Sequence, residues 1–248
     1  MRLRHLVLGV LIGLVVTATS QAAETVKLTA ADGVRIFGTL WRAGGPKAPV
    51  ILAFHQAGAS AAEYAPIAPR LVAAGYTVLA IDQRSGDAMF GPNRTAAALG
   101  REASYDEALP DLEAALAWAR GEAKGAPIVL IGSSYSAALV FVLAAAHPGE
   151  VAAVVAFSPG EYLATVKVAS AAAKLTVPVW VDQASSADEI AQARAILQAV
   201  RSADKTQFVA RASSVHGAST LRSDRNRAGA EAHWTALLAF LRRVAAPR

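Results

Sequence analysis

The sequence predicts an α/β fold with a mostly parallel sheet covered by helices on both faces. Three observations carry that expectation. β-rich apolar runs alternate with helical stretches along most of the chain. Several of these runs, such as Pro49 to His55 and Tyr76 to Asp82, are almost unbroken in apolar character, as strands buried on both faces must be. The chain also opens on two short β-rich runs, Thr25 to Leu28 and Val34 to Trp41, parted by Asp32-Gly33, which read as an antiparallel hairpin.

The elements follow in order. After the strand Pro49 to His55, a helix is expected over Ala61 to Ala74, stopped by Gly75 and disturbed at Pro66 and Pro69. The strand Tyr76 to Asp82 leads into an irregular loop, Gln83 to Gly100, the only sizeable one expected near the strand ends. Ser104-Tyr105-Asp106-Glu107 has capping-box spacing and starts a helix reaching about Arg120, with Pro110 in its first turns. Ile128 to Ile131 is a strand, and Ser136 to Ala146 a helix ending at His147-Pro148-Gly149. Val151 to Phe157 is a strand, Glu161 to Leu175 a helix and Val177 to Asp182 a strand. Ile190, Ala193, Leu197 and Val200 recur at helical spacing within Ala187 to Val200. Thr206 to Ala210 is the last strand and Glu231 to Val244 the closing helix.

The first 22 residues stand apart. Met1 to His5 is a basic segment, Leu6 to Val16 an apolar one too short to span a bilayer comfortably, and Ser20 and Ala22 occupy the small-residue positions of a cleavage site. Residues 1–22 are therefore expected to be a signal peptide and 23–248 a single exported domain, periplasmic or secreted, with no stable membrane association after cleavage. The 248 residues contain no cysteine, so that domain is stabilised by its core alone. Thiol nucleophiles, iron–sulfur clusters and cysteine-ligated zinc are excluded. The net charge of +5 includes Arg2 and Arg4. The other basic residues are scattered without interleaved aromatics, which argues against a nucleic-acid partner. No G-x-G-x-x-G turn and no metal-ligand cluster is present in the sequence, so neither cofactor nor metal is expected.

The chemistry centres on Gly132-Ser133-Ser134-Tyr135-Ser136, between a strand and a helix. This is the context of G-x-S-x-G, in which a sharp turn lifts the central serine hydroxyl above the sheet. Ser134 is that centre, and Ser136 replaces the second glycine. A plain loop with a helix N-cap is the alternative. In open parallel sheets functional groups gather at the carboxyl ends of strands. Those positions hold His55 and Gln56, then Asp82 and Arg84, then Ser134, then Asp182, Asp188 and Glu189, and last His216. A serine hydroxyl needs a base to become a nucleophile. His216 is the histidine placed at a strand end late in the chain, and His55 is the alternative base. His147 and His233 read as surface or capping residues. Asp188 is the expected carboxylate partner of His216, with Glu189 and Asp182 as alternatives. The Tyr135 N–H, following the nucleophile, is one expected donor to an oxyanion.

From about Val34 to Val244 the chain resembles small, lidless α/β-hydrolases related to dienelactone hydrolases and simple esterases. The elbow and His216-Gly217 carry most of that resemblance. Phe54-His55-Gln56-Ala57-Gly58 is similar to their oxyanion loop, and Asp82-Gln83-Arg84-Ser85-Gly86 to their D-x-R-G-x-G turn. The resemblance implies the Ala57 N–H as the second oxyanion donor. Gln56 is a candidate substrate contact; Asp82 and Arg84 are expected to tie their turn together, with a substrate contact as the alternative for Arg84. A Ser134-His216-Asp188 triad cleaving small carboxylic esters or lactones is the function expected. A serine peptidase, or a non-catalytic ligand-binding protein on the same scaffold, is the alternative.

Overall fold

The computed structural model describes residues 22–45 and 47–247. Apart from Ala22, the expected leader lies outside the described residues. One eight-stranded sheet organises the rest, in the order β1-β2-β4-β3-β5-β6-β7-β8. The hairpin forms as expected. β1 (Glu24–Thr29) pairs antiparallel with β2 (Arg35–Trp41), and β2 pairs antiparallel with β4 (Thr77–Asp82). All later neighbours are parallel: β3 (Val50–Phe54), β5 (Ile128–Ser133), β6 (Ala153–Phe157), β7 (Val179–Asp182) and β8 (Lys205–Phe208).

The central strands are apolar on both faces because both faces are covered. Alternate residues point to opposite sides. Val50, Leu52 and Phe54 of β3 join one core layer with Leu112, Leu116, Leu139, Leu143 and Ile196. Ile51 and Ala53 join the other with Tyr64, Leu71, Trp234, Leu237 and Phe240. The first layer is supplied by α3 (Leu109–Ala123), α4 (Tyr135–Ala146) and α6 (Ala187–Ala199). The second is supplied largely by α1 (Ala68–Ala73) and α7 (Ala230–Val244).

Three expectations are corrected, each for a local reason. The helix expected over Ala61 to Ala74 is a 3-10 turn, Ala61–Tyr64, followed by α1, with Pro66 and Pro69 at the break and at the restart. The loop Gln83 to Gly100 contains α2 (Arg94–Leu99), capped by the Asn93 side chain, which accepts from the Ala96 N–H, and closed by Gly100 at φ +69°. An Asn and a Gly seven residues beyond it are ordinary start and stop signals. Of the helix expected over Glu161 to Leu175, only α5 (Val168–Ala172) forms. The Glu161 carboxylate instead accepts the Val168 and Ala169 N–H groups at 2.7 and 2.9 Å, acting as a remote cap. Residues 158–167 are therefore a second irregular segment at the carboxyl end of the sheet. Asp106 pins it by accepting the Ala164 and Thr165 N–H groups at 3.0 and 2.9 Å. The capping box before α3 is present: Ser104 N–H donates to Glu107 at 2.8 Å and Glu107 N–H to the Ser104 hydroxyl at 3.4 Å.

Candidate active site

β5 passes into α4 through the single residue Ser134, whose backbone is at φ +59°, ψ −121°. That region is sparsely populated for a residue with a Cβ and costs of order 1–3 kcal/mol. The surroundings enforce it: the Ser134 N–H donates to the Phe157 carbonyl at 2.8 Å, and the Ser134 carbonyl accepts from the Ala137 N–H at 2.8 Å. A Cβ on Gly132 would lie 2.3 Å from the Ser136 carbonyl oxygen, so the close approach falls at the first motif glycine. The Ser136 hydroxyl instead donates to the His55 carbonyl at 2.6 Å and accepts from the Gln83 amide at 2.6 Å. The residue that departs from the motif thus clasps the elbow to two neighbouring strand ends.

His216 presents Nε2 to the Ser134 Oγ at 2.7 Å and Nδ1 to the Glu189 Oε1 at 3.1 Å. Asp188, the partner expected from the sequence, is not the carboxylate at His216. Its side chain is exposed, while Glu189 next to it turns inward. Consecutive residues on a helix point about 100° apart, so only one of the two faces the histidine. The sequence held a signal for the choice. Ser186 and Glu189 have capping-box spacing, which selects the third residue of the helix to reach back. The Ser186 hydroxyl accepts the Glu189 N–H at 3.3 Å, and the other Glu189 oxygen accepts the Ala184 N–H at 3.2 Å. Partial burial raises the affinity of Glu189 for a proton. Hydrogen bonds from His216 and Ser158, the charge on His216 and the Ala184 N–H outweigh burial, and its pKa lies below the ordinary carboxylate value. Ser158, which also accepts the Gly217 N–H at 3.0 Å, was not singled out in the sequence.

Asp182, the other alternative, belongs to a separate pair. Its Oδ2 lies 2.5 Å from the His233 Nδ1, and its Oδ1 accepts the Gln183 N–H at 2.8 Å. Both side chains are fully buried, so His233 is a core residue and not the surface residue the sequence suggested. Its Nε2 faces the Thr220 hydroxyl at 3.2 Å, which ties α7 to β7 and to the segment after His216. Burial pushes the Asp182 carboxyl up, partly offset by the His233 hydrogen bond. An amide can replace only one of its two acceptor oxygens. Asp182→Asn is therefore expected to cost about 1–3 kcal/mol of stability while keeping at least a tenth of the activity, a loss of under ~1.4 kcal/mol in barrier. Thermal melts and steady-state kinetics of the one variant check both halves.

The loop after β3 is held from several sides. His55 is fully buried. Its Nε2 accepts the Gln83 N–H at 2.9 Å and its Nδ1 donates to the Gln56 carbonyl at 2.8 Å. Burial depresses its pKa to about 4, with both nitrogens spent, so it braces the loop. Gln83 completes the clasp: its carbonyl oxygen accepts the His55 N–H at 2.9 Å and its amide donates to the Tyr135 hydroxyl at 2.9 Å. Among the described residues, no turn, loop or side-chain acceptor takes the N–H of Ala57 or of Tyr135. The Gln56 side chain lies beside Gly217, where an added Cβ would be 2.8 Å from its Oε1. Tyr162, from the second irregular segment, donates to the Ser158 carbonyl at 3.3 Å and reaches Ser134.

Arg84 does not face the site. It is buried, with its Nε and Nη2 at 2.9 and 2.7 Å from Asp111 and its Nη1 paired with Asp32. All three nitrogens of its guanidinium are used in joining the turn after β4 to α3 and to the hairpin, the tying role expected of it. Asp82 is likewise structural, accepting the Ala61 N–H at 2.9 Å and the Arg94 Nε at 2.9 Å.

The family described as serine aminopeptidase, S33, matches residues 45–164. No curated protein matches the chain. Solved structures do. Dienelactone hydrolase from Anabaena variabilis superposes with a TM-score of 0.69 at 20% identity, over 90% of this chain and 98% of that one. An esterase from Pyrococcus furiosus gives 0.65 at 19% identity, over 90% and 93%. An acylaminoacyl peptidase from Pyrococcus horikoshii gives 0.65 at 15% identity, over 92% of this chain and 42% of that one. With the eight-stranded sheet, the elbow at Ser134 and these superpositions, the chain has the α/β-hydrolase fold.

Proposed function

We propose that this chain is an exported serine hydrolase that cleaves small carboxylic esters or lactones through an acyl-enzyme. One observation carries the reading: the chain of hydrogen bonds from the Ser134 Oγ through both nitrogens of His216 to Glu189. In the proposed reaction His216 Nε2 takes the Ser134 proton as Oγ attacks the ester carbonyl. The tetrahedral oxyanion accepts from the Ala57 and Tyr135 N–H groups. Collapse breaks the bond to the alcohol oxygen, and His216 returns the proton to it. A water then attacks the acyl-enzyme, giving its proton to His216, and the carboxylic acid leaves as Ser134 regains the proton. Glu189 holds the imidazole in the tautomer that presents a bare Nε2 and stabilises its charged form.

The test is turnover of a p-nitrophenyl ester together with a fluorophosphonate label mapped to Ser134. A protein that neither turns over nor labels is a binding protein on this scaffold. A peptidase is the second reading, favoured by the description of the matching family. Parallel assay of an aminoacyl p-nitroanilide separates the two. Export rests on the leader pattern of residues 1–22. The mature protein is expected to begin near Ala23, and an intact mass of the exported protein that retains Met1 sinks that part of the proposal.

A further inference from the structure

One buried carboxylate takes no part in the proton transfers above. Glu63 lies in the 3-10 turn Ala61–Tyr64 and is fully buried. Its Oε2 accepts the Gln56 N–H at 2.8 Å and its Oε1 accepts the Ser133 hydroxyl at 2.9 Å. The Ser133 oxygen in turn accepts the Ala218 N–H at 2.8 Å. Gln56 precedes Ala57, Ser133 precedes Ser134, and Ala218 follows His216 by two residues. A single side chain therefore links the segments carrying one proposed oxyanion donor, the nucleophile and the base.

The turn that carries Glu63 is itself fixed. The Ala61 N–H donates to Asp82 at 2.9 Å, and the Tyr64 hydroxyl donates to the Phe54 carbonyl at 2.9 Å. Glu63 is thus a bracket on a rigid frame. We propose that Glu63 is a positioning residue that sets the Ala57 loop against Ser134 and His216 in the productive geometry. This role rests on the serine-hydrolase reading above.

The chemistry of its partners explains why a carboxylate stands here. The Gln56 N–H can only donate, and so can the Ala218 N–H that engages Ser133. An ionised carboxylate offers an acceptor to each immediate partner. A protonated carboxyl or an amide presents one acceptor and one donor, so the Ser133 hydroxyl must reverse and accept from it, and both bonds lose the strength that the carboxylate charge gives them. The charged and titratable groups around Glu63 are the Arg222 guanidinium, His216 and the Tyr64 phenol. Burial pushes the Glu63 pKa up to about 7, against the opposing pull of the Gln56 N–H, Ser133, Arg222 and His216. The bracket therefore changes its bonding pattern in the range where the enzyme is assayed. Protonation of Glu63 should then add its own loss of activity in acid.

The experiment is steady-state hydrolysis of p-nitrophenyl acetate from pH 5 to 9 by the parent, Glu63→Gln and Ser133→Ala, with melting temperatures recorded for each. Misplacing a reacting group by about 1 Å costs roughly 10²-fold. Glu63→Gln is accordingly expected to lower kcat about 10- to 100-fold at pH 8 with KM within about threefold of the parent. Ser133→Ala, which removes one arm of the bracket and leaves Glu63 in place, is expected to lower kcat several-fold. The acid limb of log kcat/KM for the parent should fall more steeply than one proton allows, and that of Glu63→Gln should follow a single proton. A folded Glu63→Gln within threefold of the parent in kcat overturns the proposal, as does a parent acid limb of slope one. If Glu63→Gln does not fold, the parent profile and Ser133→Ala decide it. An active parent with an indifferent Glu63 overturns this role alone. A parent with neither turnover nor label at Ser134 overturns the hydrolase reading and this role with it.

Discussion

Ser134→Ala is expected to lower kcat for a p-nitrophenyl ester by about 10⁴- to 10⁶-fold and to abolish fluorophosphonate labelling. Removing the attacking oxygen leaves only oxyanion stabilisation and binding, which retain a small residue of catalysis. The upper figure corresponds to about 8 kcal/mol of barrier. The variant should nonetheless fold, because the contacts that enforce the turn at this position are made by its backbone. Its melting temperature also tests the strain at φ +59°. Alanine keeps a Cβ and so keeps the strain, whereas Ser134→Gly releases it. The glycine variant is expected to melt higher than the alanine variant and to be equally inactive. An alanine variant that labels as the parent does would remove Ser134 from the chemistry.

The second large effect concerns the acid. Glu189→Gln is expected to lower kcat by about 10³- to 10⁴-fold, because an amide no longer fixes the His216 tautomer or stabilises the imidazolium. Asp188→Asn is expected to stay within about threefold of the parent. Its carboxylate is exposed in the first turn of α6 and interacts chiefly with the helix dipole, an effect worth roughly 0.3–1 kcal/mol of stability. Kinetics of the two purified variants settle the assignment. A severe loss in Asp188→Asn with little loss in Glu189→Gln would overturn it.

The two carboxylates show how far the sequence could be read. Strand order of the chemistry, the elbow and His216 were legible because each depends on local pattern: an apolar strand, small residues at a tight turn, a histidine after a strand. The choice between adjacent acids depends on helix phase, and the phase is set by the Ser186 cap, whose spacing to Glu189 was visible but unused. Arg84 ties its turn as expected, but its partners are not legible, because Asp111 comes from a helix 27 residues away and Asp32 from the hairpin 52 residues away. Glu63 and the pair of Asp182 with His233 were illegible for the same reason. Nothing local distinguishes a buried carboxylate or imidazole from a surface one until the other elements close over it. The helix expected over Glu161 to Leu175 is longer than α5 because nothing in an alanine-rich stretch reveals that Glu161 has left the helix to cap it.

The burial of His55 and Glu63 on either side of the same loop has a thermodynamic consequence. The fold holds His55 at a pKa of about 4, against an ordinary 6.5, so the unfolded chain binds that proton more tightly. Its burial costs the fold nothing above pH 6.5 and progressively more as the pH falls to 4. Glu63 has the opposite sign. The fold holds it at about 7, against an ordinary 4.5, so its burial weakens the fold above pH 7 and the penalty fades as the pH falls to 4.5. Each displacement is worth about 3 kcal/mol. Between about pH 4.5 and 6.5 the folded chain carries one proton on this pair, at Glu63, and the unfolded chain also carries one, at His55. No net proton is exchanged on unfolding, so the pair contributes almost no slope to stability against pH there. Mild acid thus adds a proton to Glu63 in the folded chain while the pair leaves the folding equilibrium almost untouched, because the unfolded chain takes up its own proton at His55.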